Sequence, residues 1–269
     1  NYVSERMLRG GVCAWYVAED GSQGTSNALL DDLRIARALY EAQTKWGGYA
    51  QPLEALAAGI LSRNLYEGQF SAFYDFRQER TGGSISLTYC DFGALDALAQ
   101  VRPEYGPLRE ALLQTVQGGF IGKQFPLYYA AFDYQSGAYS GDSLNTAEAL
   151  LTVYHLSEIG QAREETLQWL KENLQAGTLA ARYRVDGSAV EGYQYDSTAV
   201  FAITALIGQS TGDGELYRLA REKMEQYWLR DRAHPLYGAF SQKADGSDIQ
   251  SFDQLLPLTV YCNSQDARF

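Results

Sequence analysis

Apolar residues recur along the chain at intervals of three and four, and longer polar and aromatic segments separate these periodic stretches. Such spacing places the apolar side chains on one face of an α-helix. The pattern predicts ten helices, at 4–19, 29–47, 51–65, 90–101, 105–117, 143–159, 162–177, 195–209, 214–229 and 251–262. It therefore favours an all-α protein.

The predicted helices are of two kinds, and the two kinds alternate along the chain. Some carry few charges beyond the first turn, and these are 90–101, 143–159, 195–209 and 251–262. Others are amphipathic with one charged face, and these are 105–117, 162–177 and 214–229. A helix that is apolar on several sides is buried, whereas an amphipathic helix lies at the surface. The longer segments that follow the amphipathic helices contain short alternating runs, which predict β-hairpins.

A polar residue opens the charge-poor helices at intervals of 51 to 59 residues, and the series is Asp32, Asp91, Asn145, Asp196 and Asp253. A repeat of this length matches one helical hairpin with its loop. With the helix at 4–19 there are six charge-poor helices, so the sequence predicts an (α/α)6 toroid formed by one domain over 1–269. Short β-hairpins are expected at the N-terminal ends of its inner helices. Because only four outer helices are predicted, a helical solenoid is the alternative.

Charge and hydropathy exclude two classes of partner. The chain has 22 lysine and arginine residues against 33 aspartate and glutamate residues, which gives a net charge of −11. Binding to nucleic acid phosphates needs a basic face, and no cluster of basic residues is present, so no nucleic acid partner is expected. The sequence also lacks an apolar run of about 18 residues, the length that can span a bilayer.

Metal-ligating residues are scarce. Cys13, Cys90 and Cys262 lie far apart without a CxxC pair, which excludes the common zinc-ribbon and thioredoxin-type sites. His155 falls in a predicted helix and His234 in a loop, and neither has the spacing of metal ligands. We therefore expect no metal and no cofactor, and any catalytic chemistry is predicted to depend on carboxylates.

Tyrosine is unusually frequent, with 20 residues against 11 phenylalanines. Many tyrosines precede the charge-poor helices, namely Tyr66, Tyr74, Tyr89, Tyr128, Tyr129, Tyr134, Tyr139, Tyr183, Tyr193, Tyr195 and Tyr237. A ring with a polar tip suits a solvated groove, where it stacks on a ligand and hydrogen-bonds to it. The alternative is that these rings are ordinary core aromatics.

In a toroid the N-termini of the inner helices meet at one mouth, and the acidic residues there are Glu5, Asp32, Asp91, Asp196 and Asp253. Taken singly, each could be a helix cap. Taken together, like charges in a partly dry cleft raise one another's pKa. Inverting glycoside hydrolysis needs one protonated and one ionised carboxyl group, roughly 6.5–9.5 Å apart. The predicted rim could supply such a pair.

Five segments resemble those of glycoside hydrolase family 8, in the same order along the chain. The segment DDLRIARALYEAQTKWG (31–47) resembles the family's D-x-D-I-A-x-A-L…A…W-G. VSERMLRGG (3–11) is similar to its S-E-G-x-G-Y-G segment, and GYQYDSTAV (192–200) is similar to its G-Y-D-A-x-R segment. LTYCDFGALDALA (87–99) and SFDQLLPLTVY (251–261) match its S-Y-x-x-P…F-A and S-F-D-x-L segments. This resemblance implies an (α/α)6 barrel that cleaves polysaccharides with inversion.

The resemblance also assigns roles to residues. Glu5 corresponds to the family's proton donor, Asp32 to the acid beneath the sugar at the cleavage point, and Asp196 to the base candidate. Asp196 or Asp32 would deprotonate the attacking water. The predicted substrate-binding residues are Tyr89, Asp91, Tyr193 and Tyr195.

The chain departs from the family pattern at the acid loop, where Arg6 and Met7 stand in place of the glycine-rich run, and at Ala199, where the family has arginine. With these departures and its shorter length, the chain also resembles the smaller glycoside hydrolase family 126, which is related to family 8 and acts on α-glucans. We therefore predict an endo-acting, inverting hydrolase of a β-glucan, exopolysaccharide or α-glucan. An inactive carbohydrate-binding relative is the main alternative, and a toroid that binds protein or isoprenoid is another.

The predicted substrate also suggests where the protein acts and in what state. We expect a monomer in an extracellular or cell-surface location, with a cytoplasmic location left open.

Overall fold

The computed structural model describes residues 2–242, 246 and 248–263. In this part of the chain the α-helices are α1 (Tyr2–Arg6), α2 (Leu29–Trp46), α3 (Ala50–Arg63), α4 (Phe92–Val101), α5 (Tyr105–Gly118), α6 (Thr146–Glu158), α7 (Glu164–Ala176), α8 (Thr198–Thr211), α9 (Gly214–Glu225) and α10 (Ser251–Asn263). Among the described helices none is long and apolar enough to cross a bilayer.

The strands are all short. They are β1 (Leu8–Arg9), β2 (Val12–Cys13), β3 (Leu65–Tyr66), β4 (Gln69–Phe70), β5 (Tyr74–Asp75), β6 (Arg80–Thr81), β7 (Ser84–Ser86), β8 (Phe120–Gly122), β9 (Phe125–Tyr128), β10 (Ala131–Asp133), β11 (Ala138–Ser140), β12 (Ser143–Asn145) and β13 (Arg182–Arg184). They pair antiparallel, mostly as two-stranded hairpins. The predicted combination of helices with short hairpins is confirmed.

The chain divides into two compact units, residues 1–119 with 130–140 and residues 120–129 with 141–269. In the first unit α2 packs against α3 and α4, and α4 packs against α5. Strand β10 lies between β7 and β11, with Phe132 opposite Ile85 on one side and Tyr139 on the other. That all of residues 1–269 form one domain stays a prediction.

In the second unit α8 is the central helix. It packs against α6, α9 and α10, and its residues are buried from Thr198 through Gly208. The neighbouring α9 buries only one stripe, formed by Leu216, Ala220 and Met224. The predicted difference between charge-poor and amphipathic helices is present for this pair, because the apolar α8 is enclosed and the charged α9 covers it. The charge-poor α10, in contrast, buries only three of its residues.

The predicted helix over 4–19 is wrong. Helix α1 ends at Arg6, and the chain then turns back through β1 and β2. Gly10 and Gly11 have φ angles of 61° and 93°, which a helix does not allow. Gly11 also lies directly against Gly59 of α3, where a Cβ atom on Gly59 would sit 1.9 Å from the Gly11 carbonyl oxygen. Of the six predicted inner helices, the described residues therefore form five long ones.

Gly208 sets the distance between α8 and α9. A Cβ atom at Gly208 would lie 2.6 Å from the backbone nitrogen of Tyr217. We expect Gly208→Ala to force the helices apart and to lower the free energy of unfolding by about 1–3 kcal/mol. Urea unfolding followed by tryptophan fluorescence measures this loss.

The matched control is Gly106→Ala in α5, where a Cβ atom would meet nothing within 4 Å. Alanine is the better helix former, so this control should leave stability unchanged or raise it slightly. Equal behaviour of the two variants would contradict the close approach of α8 and α9.

Candidate functional site

Three helices of the second unit begin at one pocket of about 260 Å³. Its wall is formed by Asn145, Ala147 and Glu148 at the start of α6, by Ser197, Ala199 and Val200 at the start of α8, by Gln250, Phe252 and Asp253 at the start of α10, and by Ala181, Arg182, Tyr193, Tyr195 and Gln242 from the loops. Within this unit the predicted meeting of inner-helix N-termini is therefore observed.

Side-chain caps start two of these helices. The Asn145 side chain accepts a hydrogen bond from the backbone N–H of Glu148 at 3.3 Å, and the Ser197 hydroxyl accepts one from Val200 N–H at 3.4 Å. Each cap satisfies an N–H group that has no partner inside its own helix. Ser197 thus occupies the capping position that the sequence pattern suggested for Asp196.

Tyr193 and Tyr195 form an aromatic border to the pocket. They are 40% and 51% exposed, and their ring centroids lie 6.1 Å apart with an interplanar angle of 33°. The Arg182 guanidinium lies 4.9 Å from the centroid of the Tyr193 ring. Exposed rings of this kind provide faces for stacking and hydroxyls for hydrogen bonds.

Asp253 lies in the pocket wall at the third position of α10, and it is only 1% exposed. Neither carboxylate oxygen has a hydrogen-bond partner among the described residues. Burial raises the pKa of this carboxyl group. Gln242 and the backbone N–H of Ala199 face it and oppose that increase, but neither completes a hydrogen bond with it. The pocket therefore contains a buried carboxyl group with free acceptor capacity.

Asp196 is turned towards another part of the second unit. Its Oδ2 accepts a hydrogen bond from the Tyr227 hydroxyl at 2.7 Å, and the side chain borders a narrow crevice with Phe201 and Lys223. Burial and the Asp196 carboxylate together raise the pKa of Tyr227 above its usual range. The structure thus separates Asp196 from the pocket that its neighbours Tyr193 and Tyr195 border.

Asp32 is the centre of a buried polar network in the first unit. Its side chain is fully buried, Oδ1 accepts from Cys13 N–H at 2.8 Å, and Oδ2 accepts from the Asn27 side chain at 2.7 Å. Asn27 also donates to Asn64 at 2.8 Å and accepts from Tyr74 N–H at 2.6 Å. Burial raises the pKa of Asp32 to about 6 and that of the Cys13 thiol to about 12.

The other predicted site residues of the first unit lie in three different settings. Asp91 is buried, where it caps α4 by accepting from Ala94 N–H at 2.9 Å and accepts from Arg37 Nη1 at 3.3 Å. Tyr89 ends a 3-10 turn at Leu87–Tyr89 and is half-buried, and Glu5 is exposed on α1.

His155 and Glu158 on α6 each carry an atom that could ligate a metal ion. His155 is buried, and its Nδ1 lies 3.3 Å from Oε2 of Glu158. A protein site for zinc needs three or four ligands. The expectation that the chain binds no metal or cofactor stays a prediction.

Comparison with known proteins shows which folds this chain resembles. No protein-family model matches the chain. A structure described as a novel α-amylase from Clostridium perfringens is 25% identical, with a TM-score of 0.88 over 98% of this chain and 79% of that one. A family 8 xylobiose complex from Teredinibacter turnerae is 13% identical, with a TM-score of 0.71 over 98% of this chain and 74% of that one. The chain has the (α/α)6 fold of glycoside hydrolase family 8.

One curated sequence is also similar to this chain. It is the putative lipoprotein YdaJ of Bacillus subtilis (strain 168), which is 26% identical over 261 residues, or 94% of this chain and 68% of that protein. The predicted family 8-like fold is confirmed by the structural likeness, whereas the roles of individual residues stay predictions.

The sequence analysis identified part of this pocket and missed part of it. It selected Tyr193 and Tyr195, which the structure brings together there. It placed Asp253 in the acidic rim without giving it a role, and it did not select Arg182. The position of Asp253 at the start of the last charge-poor helix was the available signal. Nothing local in the sequence distinguished it from a helix cap.

The raised pKa of Asp32 predicts a pH-dependent stability. The pKa in the folded state, about 6, exceeds the ordinary value of 3.8, so this group's contribution is complete below pH ~4 and is lost as the pH rises through 6. Asp32→Asn replaces one carboxyl oxygen, which can accept a hydrogen bond even when protonated, by an NH2 group that cannot accept, so it should be destabilising by about 1–3 kcal/mol at acidic pH. The difference from the wild type should shrink above pH 6.

Urea unfolding at pH 4.5 and pH 7.5 tests this expectation. Asp142→Asn, at an exposed aspartate, is the control and should match the wild type at both pH values. A destabilisation by Asp32→Asn that grows as the pH rises would contradict the buried position of the carboxyl group.

Proposed function

We propose that this chain is a polysaccharide-cleaving glycoside hydrolase and that the pocket of the second unit binds its substrate. The observation that carries the proposal is the pairing of two exposed tyrosine rings, Tyr193 and Tyr195, with the buried, unpartnered carboxyl group of Asp253. Aromatic faces match the apolar faces of sugar rings, and carboxylates accept hydrogen bonds from sugar hydroxyls. The likeness of nearly the whole chain to carbohydrate enzymes supports it.

The substrate that we propose is a glucan, either an α-glucan or a β-glucan including exopolysaccharides. The neighbour described as an α-amylase supports the first, and a neighbour described as a β-1,3-1,4-glucanase from Paenibacillus sp. X4 supports the second. Rings exposed at the border of the pocket suit a chain that continues beyond it, which is the reason for proposing endo action.

Reducing-end release from α-1,4-glucan, β-1,4-glucan, β-1,3-1,4-glucan and xylan tests this function. We expect release from one of these classes, with products longer than disaccharides at early times. Sugar binding without release would favour a non-catalytic carbohydrate-binding protein. The absence of both binding and release would overturn the proposal.

The mechanism that we propose is inverting, with Glu5 as proton donor. We propose Asp196 as the base ahead of Asp32, because the Asp32 carboxyl group is enclosed by Cys13 and Asn27. In this role the Asp196 carboxylate has to leave the Tyr227 hydroxyl and turn towards the pocket. We expect Glu5→Gln and Asp196→Asn each to lower kcat by roughly 10²–10⁴-fold with the fold intact, because each removes a proton-transfer group. The Asn variant keeps an acceptor for the Tyr227 hydroxyl.

Initial rates and the anomeric configuration of the first product, read by proton NMR, measure these effects. Glu19→Gln replaces an exposed glutamate of the first unit and is the control, with activity expected to stay at the wild-type level. Full activity of Glu5→Gln would remove the assignment of the acid, and retained anomeric configuration would remove the inverting mechanism.

A non-catalytic carbohydrate-binding protein is the second candidate function. Two observations favour it, namely the enclosure of Asp32 and the presence of Ala199 where family 8 has arginine. The location that we propose is the bacterial cell surface or exterior, supported by the likeness to a putative lipoprotein, and the proposed state is a monomer.

A further inference from the structure

The carboxyl group of Asp253 is an unsatisfied buried group in the pocket wall. Both oxygens are buried and neither has a hydrogen-bond partner in the described part of the chain. A buried polar group without a partner is costly and uncommon in native proteins, so each case calls for an explanation. A ligand that donates hydrogen bonds to Asp253 inside the pocket would explain why the carboxyl group has no partner within the protein.

A second unsatisfied group lies in the same pocket. The Nε of Arg182 is buried and has no acceptor among the described residues, while its Nη1 donates to the Ser143 hydroxyl at 3.3 Å. The pocket therefore offers acceptors on Asp253 and a donor on Arg182. Sugar hydroxyls match this combination, because each hydroxyl both donates and accepts.

The charges of the pocket disfavour an anionic ligand. Its wall carries two carboxylates, on Glu148 and Asp253, and one guanidinium, on Arg182, which also lies against the Tyr193 ring. An acidic sugar would bring a third carboxylate next to Asp253, and like charges in a partly buried site repel. A neutral sugar brings hydroxyl donors without this penalty.

The pocket can hold a ligand larger than a water molecule. Its volume of about 260 Å³ is many times the roughly 10–15 Å³ that a cavity needs to hold one water. Tyr193 and Tyr195 border it and are exposed, so a ring that enters can rest on an aromatic face. Hydroxyls on adjacent carbons then point along one edge of the ring, and a carboxylate can accept from two of them.

We propose that Asp253 is a substrate-binding residue, whose two carboxylate oxygens accept hydrogen bonds from neighbouring hydroxyls of a neutral sugar unit. The inference deepens the proposed function and rests on it for the class of ligand. It assigns to this subsite a preference for neutral over acidic sugars. Glu5 and Asp196 keep their proposed roles in proton transfer.

Isothermal titration calorimetry with maltohexaose, cellohexaose, xylohexaose and a hexagalacturonide tests the inference on the full chain. We expect the wild type to bind one neutral hexasaccharide and to bind the acidic one more weakly. Asp253→Asn replaces one charged acceptor by a donor, so it should weaken neutral binding at least tenfold. Asp186→Asn removes the same charge from an exposed turn of the second unit, outside the pocket wall, and should leave affinity unchanged.

Urea unfolding of the same variants separates binding from a structural role. Removal of an unpartnered buried charge should leave the stability of Asp253→Asn unchanged or higher. A loss of stability, or a failure of this variant to fold, would show that Asp253 serves the fold and would overturn the inference.

The remaining outcomes distinguish this inference from the proposed function. Normal neutral binding by Asp253→Asn, tighter wild-type binding of the hexagalacturonide, or no neutral binding at all would overturn the inference. Any of these results together with polysaccharide cleavage would leave the hydrolase proposal standing. Binding that depends on Asp253 without cleavage of any polysaccharide would remove the hydrolase and keep the subsite.

Discussion

Enclosure of α8 on every side is the constraint on which the second unit depends. Eleven successive residues, from Thr198 to Gly208, are buried against α6, α9 and α10. The sides of such a helix are taken up by its neighbours, so only its ends remain for contact with a ligand. The segment that leads into α8 carries Tyr193, Tyr195 and Ser197, and it thereby becomes a wall of the pocket.

Polar groups at the starts of the helices have different roles, which depend on what surrounds them. Asn145, Ser197 and Asp91 cap their own helices, and Asp32 is held by donors from β2 and from the segment that precedes α2. These groups are satisfied within the protein and stabilise it. Asp253 is equally buried, but the two groups that face it, Gln242 and the Ala199 N–H, complete no hydrogen bond with it, so its acceptor capacity is left for something that enters the pocket.

An unpartnered carboxyl group has a cost, and the packing of the second unit offsets it. Leaving a buried polar group unpaired costs on the order of 1–3 kcal/mol. Each fully buried side chain of α8, such as Phe201, Ile203 or Leu206, contributes about 1.5–3 kcal/mol through removal from water. A central helix with many such residues can therefore tolerate a polar group at its border that serves a ligand better than it serves stability.

The sequence by itself determined the helical fold, the alternation of charge-poor with amphipathic helices and the short hairpins between them. These features follow from local periodicity, because the spacing of apolar residues indicates which face of a helix or strand is buried. The prediction of a helix failed at 4–19, where the close approach of Gly11 to Gly59 sets the path of the chain. Only the tertiary structure decided which carboxyl groups are satisfied, because Asp32, Asp196 and Asp253 share one sequence signature while their partners come from distant segments. The physical reason is that a donor such as Asn27, Cys13 or Tyr227 comes close to a carboxylate only when the chain folds. The spacing of residues along the chain does not show which donor that will be.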